Sequence, residues 1–108
     1  MRVISKKLRD SARGQECTLR IPEICNGNPE TTVLCHLPCN MAGFGMKSPD
    51  NMAVFGCSSC HDVIDGRVRH PGYKIGASYF DGFDLLRALA ETQQYWVENG
   101  FMTIKGMK

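Results

Sequence analysis

The stretch Cys57-Ser58-Ser59-Cys60-His61-Asp62-Val63-Ile64-Asp65 decides how this chain folds. Two cysteines separated by two residues put two sulfur atoms on one tight turn, at a separation that a tetrahedral zinc ion bridges. Residues 59–69 have helical character, and His70-Pro71-Gly72 is a stop signal. The sequence therefore predicts a zinc-binding turn from which a helix begins.

Cys17 and Cys25 form a second, wider pair nearer the start of the chain. The segment 18–22 between them reads as extended, and Asn26-Gly27-Asn28-Pro29 favours a reversal of direction. Zinc takes about four ligands, and a pair from a distant part of the chain completes the set. We therefore expect one structural zinc ion bound by Cys17, Cys25, Cys57 and Cys60.

The remaining two cysteines, Cys35 and Cys39, leave the ligand set open. Cys35 stands in an apolar strand and is interpreted as a packed thiol, and Cys39 follows a proline in a loop. Either one is able to replace a member of the wider pair. A redox role for the tight pair is disfavoured, because the sequence around it lacks the alternating strand and helix pattern expected near such a motif.

Length and composition describe one small domain that spans residues 1–108. The chain has 108 residues, six cysteines and a formal net charge of +2. A domain of this size buries a modest core and gains from cross-links, and in a reducing compartment metal–thiolate bonds are favoured over disulfides. The N-terminus turns polar too early for a signal peptide or a membrane span, so we expect a cytoplasmic protein that does not enter the membrane.

Basic residues concentrate at the start of the chain. Within the first twenty residues, six lysines and arginines face two acids. Such an excess is able to meet nucleic-acid phosphates, although a solvated helix face accounts for it equally well.

The remaining pattern predicts an α+β fold that ends in a long helix. A short helix is expected at 5–14, strands at 31–37 and 51–56, a shaped loop at 38–50 and a last strand at 101–104. The C-terminal helix lies between a candidate cap at Asp81 and a terminator at Gly100. Its helical stripe is assigned to the core: Phe83, Leu86, Leu89, Ala90, Gln93, Trp96 and Val97.

Three side chains suggest a second site. His61 and Asp65 lie four residues apart on the predicted helix, so they project from one face and are able to share a hard ion such as magnesium or manganese. His36, near a strand end, is a candidate general base, since a neutral imidazole accepts a proton near neutral pH. Taken alone, such histidines are more often structural, and His61 is also a candidate zinc ligand.

The order of these features resembles that of the HNH (His-Me finger) nucleases, in which a ββα element is built on a zinc knuckle. A strand ends at His36, a loop follows, Asn51 precedes a second strand, and the tight cysteine pair leads directly into His61. The resemblance extends to the phage and prophage nucleases related to YbcO and Ref. Four stretches carry it: Ala12-Arg13-Gly14-Gln15-Glu16-Cys17, Arg20-Ile21-Pro22, Cys25-Asn26-Gly27-Asn28-Pro29-Glu30-Thr31 and Cys57-Ser58-Ser59-Cys60-His61-Asp62-Val63-Ile64-Asp65.

This resemblance implies a treble-clef-like zinc knuckle with a ββα-metal element, a C-terminal helix, and cleavage or nicking of DNA. It puts His36 at the base position and His61 at the metal-binding histidine. Asn51 falls at the middle asparagine and would orient His36 or the loop through its amide. The leading interpretation is therefore catalytic: His36, Asn51 and His61.

One position departs from the family pattern. Many HNH enzymes carry an acidic metal ligand directly before the base, and here that residue is Cys35. Asp65 is expected to compensate from the helix, with His70 as a weaker candidate.

Two functions are compared on this basis. The first is a metal-dependent DNA endonuclease of low sequence specificity, because a basic segment without a base-reading motif favours contacts with the DNA backbone. Relation to Ref implies work alongside a recombinase filament. The alternative is a non-catalytic zinc-knuckle module that binds nucleic acid or protein.

Overall fold

The computed structural model describes residues 3–37, 48–65 and 82–106. These parts form a small α+β architecture around a two-stranded sheet, which confirms the predicted class. The elements are α1 (Lys6–Ser11), a 3-10 turn (Pro29–Thr31), β1 (Val33–His36), β2 (Ala53–Gly56), α2 (Ser58–Ile64) and α3 (Gly82–Glu98). Most of the predicted loop at 38–50, the end of the helix predicted at 59–69, and Asp81 lie outside the described residues.

Strands β1 and β2 form an antiparallel hairpin whose two faces carry different cores. Leu34 pairs with Phe55, and Cys35 pairs with Val54. Successive side chains of a strand point to opposite faces, so Leu34 shares its face with His36, two residues further on. His36 is therefore on the Leu34 face, and Cys35 is on the other.

Helix α1 and the end of α3 cover the Leu34 face. Ser5 caps α1, and its side-chain oxygen accepts a hydrogen bond from the Leu8 N–H at 3.2 Å. Trp96 on α3 is fully buried, and its Nε1 donates to Ser11 Oγ at 2.7 Å. The Trp96 ring meets Phe55 edge-on, with centroids 5.8 Å apart. These contacts fix α1 beside the hairpin.

The opposite face carries a core rich in cysteine. Helix α2 adds Val63 and Ile64 to this core. The outer edge of β2 is closed by α3 and by the segment at Thr18. Buried Thr92 Oγ1 on α3 accepts a hydrogen bond from the Phe55 N–H at 3.2 Å, and the Thr18 N–H donates to the Phe55 carbonyl at 2.7 Å. The fully or nearly buried members of the core are Cys17, Leu19, Ile21, Cys35, Leu37, Val54, Cys57, Cys60 and Ala88.

The buried stripe of α3 is rotated from the predicted one. Ala88, Thr92 and Trp96 are buried, whereas Phe83 and Leu86 are 81% and 60% exposed. Ala90 is exposed as well, so the assignment of Phe83, Leu86 and Ala90 to the core is wrong. Thr92 faces the core because it satisfies a strand edge, and a pattern of apolar residues does not reveal a buried threonine.

A capped turn, rather than the predicted strand at 101–104, follows α3. Gly100 has a φ of +76°, and its N–H donates to the Val97 carbonyl at 3.4 Å. The Phe101 N–H donates to the Trp96 carbonyl at 2.8 Å. Together these bonds form a Schellman motif. The strand prediction is wrong because the backbone after Gly100 bonds back to the helix end.

We expect Gly56→Ala to destabilise the fold. An added Cβ would lie 2.5 Å from Cys35 Sγ and 2.8 Å from Leu19 Cδ1, and both neighbours are fully buried. Overpacking of this kind costs about 1–3 kcal/mol of the free energy of unfolding, which urea denaturation would measure. Gly82→Ala is the matched control, since a Cβ at the first residue of α3 has no atom within 4 Å. Equal stability of the two variants would contradict the prediction.

Candidate active site and metal centre

Four cysteine sulfurs from two distant segments meet in one cluster. The Sγ atoms of Cys17, Cys25, Cys57 and Cys60 all lie within 4.8 Å of one another, and this is the predicted set. The Sγ atoms of Cys57 and Cys25 are 3.9 Å apart. Two ligands of a tetrahedral zinc ion with Zn–S bonds of about 2.3 Å are separated by roughly 3.8 Å. The four cysteines can therefore hold a metal ion such as zinc.

Both cysteine pairs begin on turns that aim a backbone N–H at the first sulfur. Cys17 Sγ accepts from the Arg20 N–H at 3.4 Å, and Cys57 Sγ accepts from the Cys60 N–H at 3.4 Å. Arg20 has a φ of +47°. The segment 18–22 is thus a turn around the sulfur, and the prediction of an extended segment is wrong. Such N–H bonds stabilise negative charge on the sulfur.

Helix α3 fixes the Cys17 turn from outside. Arg87 donates to the Thr18 carbonyl at 2.9 Å and to the Leu19 carbonyl at 3.2 Å. Arg20 forms a two-pronged ion pair with Glu91, at 2.8 and 2.7 Å. The hydrogen bond from Arg20 is the main reason that the pKa of Glu91 is held below its usual value.

The loop after Cys25 fixes the start of α2. Asn26 Nδ2 donates to Ser58 Oγ at 3.2 Å and to Ser59 Oγ at 3.3 Å. The Ser58 N–H donates to Thr31 Oγ1 at 3.3 Å. Helix α2 is therefore positioned by the same loop that delivers Cys25 to the cluster.

Contacts within the cluster shift the pKa values of three of its thiols in different directions. The hydrogen bond from the Cys60 thiol is the main cause that lowers the pKa of Cys17 to about 4. The same bond raises the pKa of Cys60, whose proton it holds, and burial raises the pKa of Cys25. The thiolate form is thus favoured at Cys17 and opposed at Cys25 and Cys60, and a bound cation would stabilise the thiolate form at these positions.

A second polar cluster lies at the end of β1. His36 Nε2 is 2.8 Å from Asp50 Oδ1, and the two side chains are 14% and 9% exposed. Asp50 Oδ2 accepts from the Ser5 N–H at 2.6 Å and lies 3.5 Å from Arg9 Nε. Asp50 therefore joins the end of β1 to the start of α1.

The charge of Asp50 determines which nitrogen of His36 carries the proton. Burial opposes ionisation of Asp50, but hydrogen bonds from His36 and from the Ser5 N–H hold its pKa below the usual value. An ionised carboxylate only accepts hydrogen bonds, so Nε2 of His36 donates, and in the neutral form of the imidazole the lone pair is then on Nδ1. Asp50 thereby orients the His36 ring and leaves Nδ1 as the nitrogen that can accept a proton.

Asp50 is the residue of this cluster that sequence reasoning missed. The resemblance implies that the amide of Asn51 orients His36 or the loop, whereas His36 Nε2 donates its hydrogen bond to Asp50, the residue before Asn51. Asn51 instead accepts at its backbone carbonyl from Gln93 Nε2 at 3.0 Å. The sequence does contain an acid directly before Asn51. That acid lies in a predicted loop, and a loop has no helical or strand periodicity from which the direction of a side chain can be predicted.

We expect Asp50→Asn to lower the free energy of unfolding by about 1.5–3 kcal/mol at neutral pH, because charge-assisted hydrogen bonds at a buried position are lost. The pKa of Asp50 is lower in the folded state, so its stabilisation is complete above the unfolded value of about 3.9 and is lost as the pH falls through the folded value. Urea denaturation of both proteins in excess zinc would measure the difference at each pH. A difference that does not shrink on acidification would contradict this account.

His61 and Asp65 meet on α2, as their spacing predicts. His61 Nε2 lies 3.0 Å from Asp65 Oδ2, and the side chains are 19% and 27% exposed. An imidazole and a carboxylate at this separation can bind one hard divalent ion, which completes its shell with water and phosphate oxygens. Among the described residues, the ligand set of three or more that converges within 4.8 Å is the cysteine cluster, and this pair is separate from it.

The other candidate ligands lie elsewhere. Cys35 is fully buried in the core and is not among the converging sulfurs, in agreement with a packed thiol. Cys39 and His70 lie outside the described residues, and their roles stay predictions. None of the helices in the described ranges has both the length and the apolar composition that a membrane span requires.

Known proteins share this sequence over most of its length. A family model described as "Putative nuclease YbcO" matches residues 6–101. Relatives with the same description occur in Escherichia coli strain K12 and in Enterobacteria phage 82. Each is 45% identical over 94 residues, which is 86% of this chain and 93% of the relative.

A solved structure supports the same relationship. It is described as "a putative bacteriophage protein from Escherichia coli str. K-12 substr. MG1655". The similarity has a TM-score of 0.62 at 39% identity and covers 87% of this chain and 100% of that one. Sequence and structure together show that the chain belongs to the YbcO family of phage and prophage proteins.

Proposed function

We propose that this protein is a metal-dependent DNA endonuclease of the HNH type. The observation that carries the proposal is the hydrogen-bonded pair of Asp50 and His36, which presents an oriented imidazole at the end of β1. The order β1, β2, α2 along the chain supports the proposal, because the resemblance implies a ββα element. The description of the relatives as nucleases supports the same reaction.

In this proposal the cysteine cluster binds one structural zinc ion. Zinc would join the Cys17 turn and the loop after Cys25 to the first turn of α2, and it would take no part in the reaction. His61 follows Cys60 directly, so the position of the sulfurs sets the position of His61 and Asp65. A reducing cytoplasm, which we propose as the location, keeps these thiolates available for the metal.

His61 and Asp65 are the proposed ligands of a catalytic magnesium or manganese ion. Their side chains are partly open to solvent, as a site that receives a phosphate requires. Bound there, the ion would stabilise the negative charge that develops on the leaving oxygen. Asp65 supplies the carboxylate because Cys35, the residue before the base, is buried in the core.

His36 is the proposed general base. Its Nδ1 takes a proton from water while the water oxygen forms a bond to phosphorus. The bond from phosphorus to the leaving oxygen breaks, and that oxygen takes a proton from solvent, so one strand end carries a phosphate and the other a hydroxyl. Asp50 stabilises the imidazolium that forms. Asn51 is proposed to orient the loop beside His36.

A nicking assay tests this function. Zinc-loaded protein is incubated with supercoiled plasmid in buffer without other divalent ions, with magnesium, or with manganese. Conversion to the open circular form only in the last two reactions would support the proposal. Helix α2 packs on the face of the hairpin opposite to the one that carries His36, so this scheme requires the two histidines to meet a phosphate at the end of β1. Manganese should therefore broaden the NMR signals of both His61 and His36 in the same titration. Broadening of His61 without His36 would contradict a shared site.

The second candidate is a zinc-knuckle module that binds nucleic acid or protein without cleavage. The observation that favours it is the burial of Cys35 where many HNH enzymes carry an acidic metal ligand. DNA binding without nicking in either metal would establish this candidate. Cooperation with a recombinase filament stays a prediction of the resemblance to Ref.

A further inference from the structure

A cleft between α1 and β1 opens directly beside His36. It has a volume of about 260 Å³ and is lined by Arg9, Asp10, Arg13, Thr32, Val33, Leu34 and His36. Pockets that enclose a whole drug-sized ligand are usually about 300–1,000 Å³. The size therefore suits a segment of a polymer that lies along the surface.

The charge of the cleft is positive. Arg9 uses its Nε to contact the Ser5 carbonyl at 3.4 Å and Asp50 at 3.5 Å. Within the described residues, the terminal nitrogens of Arg9 and the guanidinium of Arg13 have no hydrogen-bond partner. These groups are therefore available to an anion.

The acids near the cleft offset this charge only in part. Asp10 lines the cleft, but Lys6 Nζ lies 2.7 Å from its carboxylate. Asp50 is only 9% exposed, and both of its oxygens already accept hydrogen bonds, from His36 and from the Ser5 N–H. Among the described residues, the guanidinium of Arg13 thus has no dedicated counter-charge, and Arg9 keeps its terminal nitrogens available although its Nε lies beside Asp50.

We infer that Arg9 and Arg13 form a phosphate-binding subsite for the nucleic-acid backbone, next to the phosphate that His36 addresses. Guanidinium groups bind phosphate oxygens with two parallel hydrogen bonds, and such contacts with the backbone carry no base specificity. The inference rests on the proposed function, because it identifies a neighbouring backbone phosphate as the occupant. Of the six basic residues near the start of the chain, the inference assigns phosphate binding to the two that line the cleft.

Binding measurements at several salt concentrations test the subsite. The zinc-loaded full chain is titrated with a labelled DNA duplex of mixed sequence, without magnesium or manganese so that the DNA stays intact. Arg9→Gln and Arg13→Gln are each expected to weaken binding and to reduce the slope of log affinity against log salt by about 1. Inorganic phosphate should displace the duplex only weakly if the site reads a polymer backbone, and strong displacement would point to a free phosphate as the ligand.

Lys7→Gln is the matched control on the same helix. It removes the same charge, but Lys7 Nζ lies over the Phe101 ring, 5.4 Å from the centroid, and not in the cleft. The control should retain the wild-type salt slope. Equal slopes for all four proteins, or an equal loss in Lys7→Gln, would overturn the subsite. The subsite and the nuclease can fail separately. If the wild-type protein nicks DNA and the arginine variants bind it as well as the wild type does, only the subsite is overturned. If the arginine variants bind DNA less well and the wild type does not nick it, only the nuclease function is overturned.

Discussion

Cys60→Ser is expected to abolish metal binding and with it the folded state. Cys60 is fully buried and supplies one of the four sulfurs that lie within 4.8 Å of one another. Structural zinc in small domains contributes about 10–16 kcal/mol of apparent free energy at neutral pH, and a whole domain is usually stable by only about 5–15 kcal/mol. Loss of one ligand therefore removes a large part of what keeps the chain folded.

Two measurements check this expectation. Native mass spectrometry counts the zinc ions per chain, and thermal unfolding followed by circular dichroism reports the folded state. Cys35→Ser is the matched control, because Cys35 is equally buried but lies outside the cluster. It should keep one zinc ion and lose only about 1–3 kcal/mol, the cost of burying a hydroxyl. A Cys60→Ser protein that keeps its zinc and its melting temperature would exclude this ligand set.

His36→Ala is expected to reduce nicking by about 10²–10⁴-fold, the usual contribution of a general base. His36 is the residue whose Nδ1 is left with a lone pair by the bond from Nε2 to Asp50. It lies at the end of β1 and outside the cysteine cluster, so the zinc content should not change. First-order nicking rates on supercoiled plasmid would measure the effect.

The control for this experiment separates catalysis from folding. Asn99→Ala alters an exposed helix end, where Asn99 Nδ2 donates to the Tyr95 carbonyl at 2.9 Å, far in sequence from the proposed base. It should nick at the wild-type rate. Full activity of His36→Ala, with zinc content and melting temperature unchanged, would remove His36 from the mechanism. Loss of zinc in that variant would show a structural role instead.

The cysteine cluster was predictable because metal binding by cysteine depends on the residue type and on the spacing of the ligands. A tight pair at Cys57 and Cys60 fits a tetrahedral ion, and Cys17 and Cys25 are the pair that the structure brings to it. The pairing of His61 with Asp65 was predictable for a similar reason, since four residues are about one helical turn. Such short-range rules do not depend on the rest of the fold.

Longer contacts were not predictable in the same way. Phe83 and Leu86 continue an apolar helical period, but the face of α3 that is buried is chosen by Thr92, which bonds to the open edge of β2. The strand expected at 101–104 fails because a glycine cap turns the chain back onto the helix end. In both cases the structure is decided by a backbone group that needs a hydrogen-bond partner, and the pattern of apolar residues does not show which group that is.

By itself the sequence determined the α+β class, the four converging cysteines, and the candidate roles of His36 and His61. Local spacing and turn chemistry account for the predicted class and for the two cysteine pairs, because these depend on neighbours along the chain, whereas the roles of the two histidines stay predictions. Only the tertiary structure decided that Asp50 contacts His36 and that Arg9 and Arg13 share a cleft with it. Those contacts need α1, the end of β1 and the turn before β2 to meet in space, and hydrogen bonds and packing between distant segments bring them together.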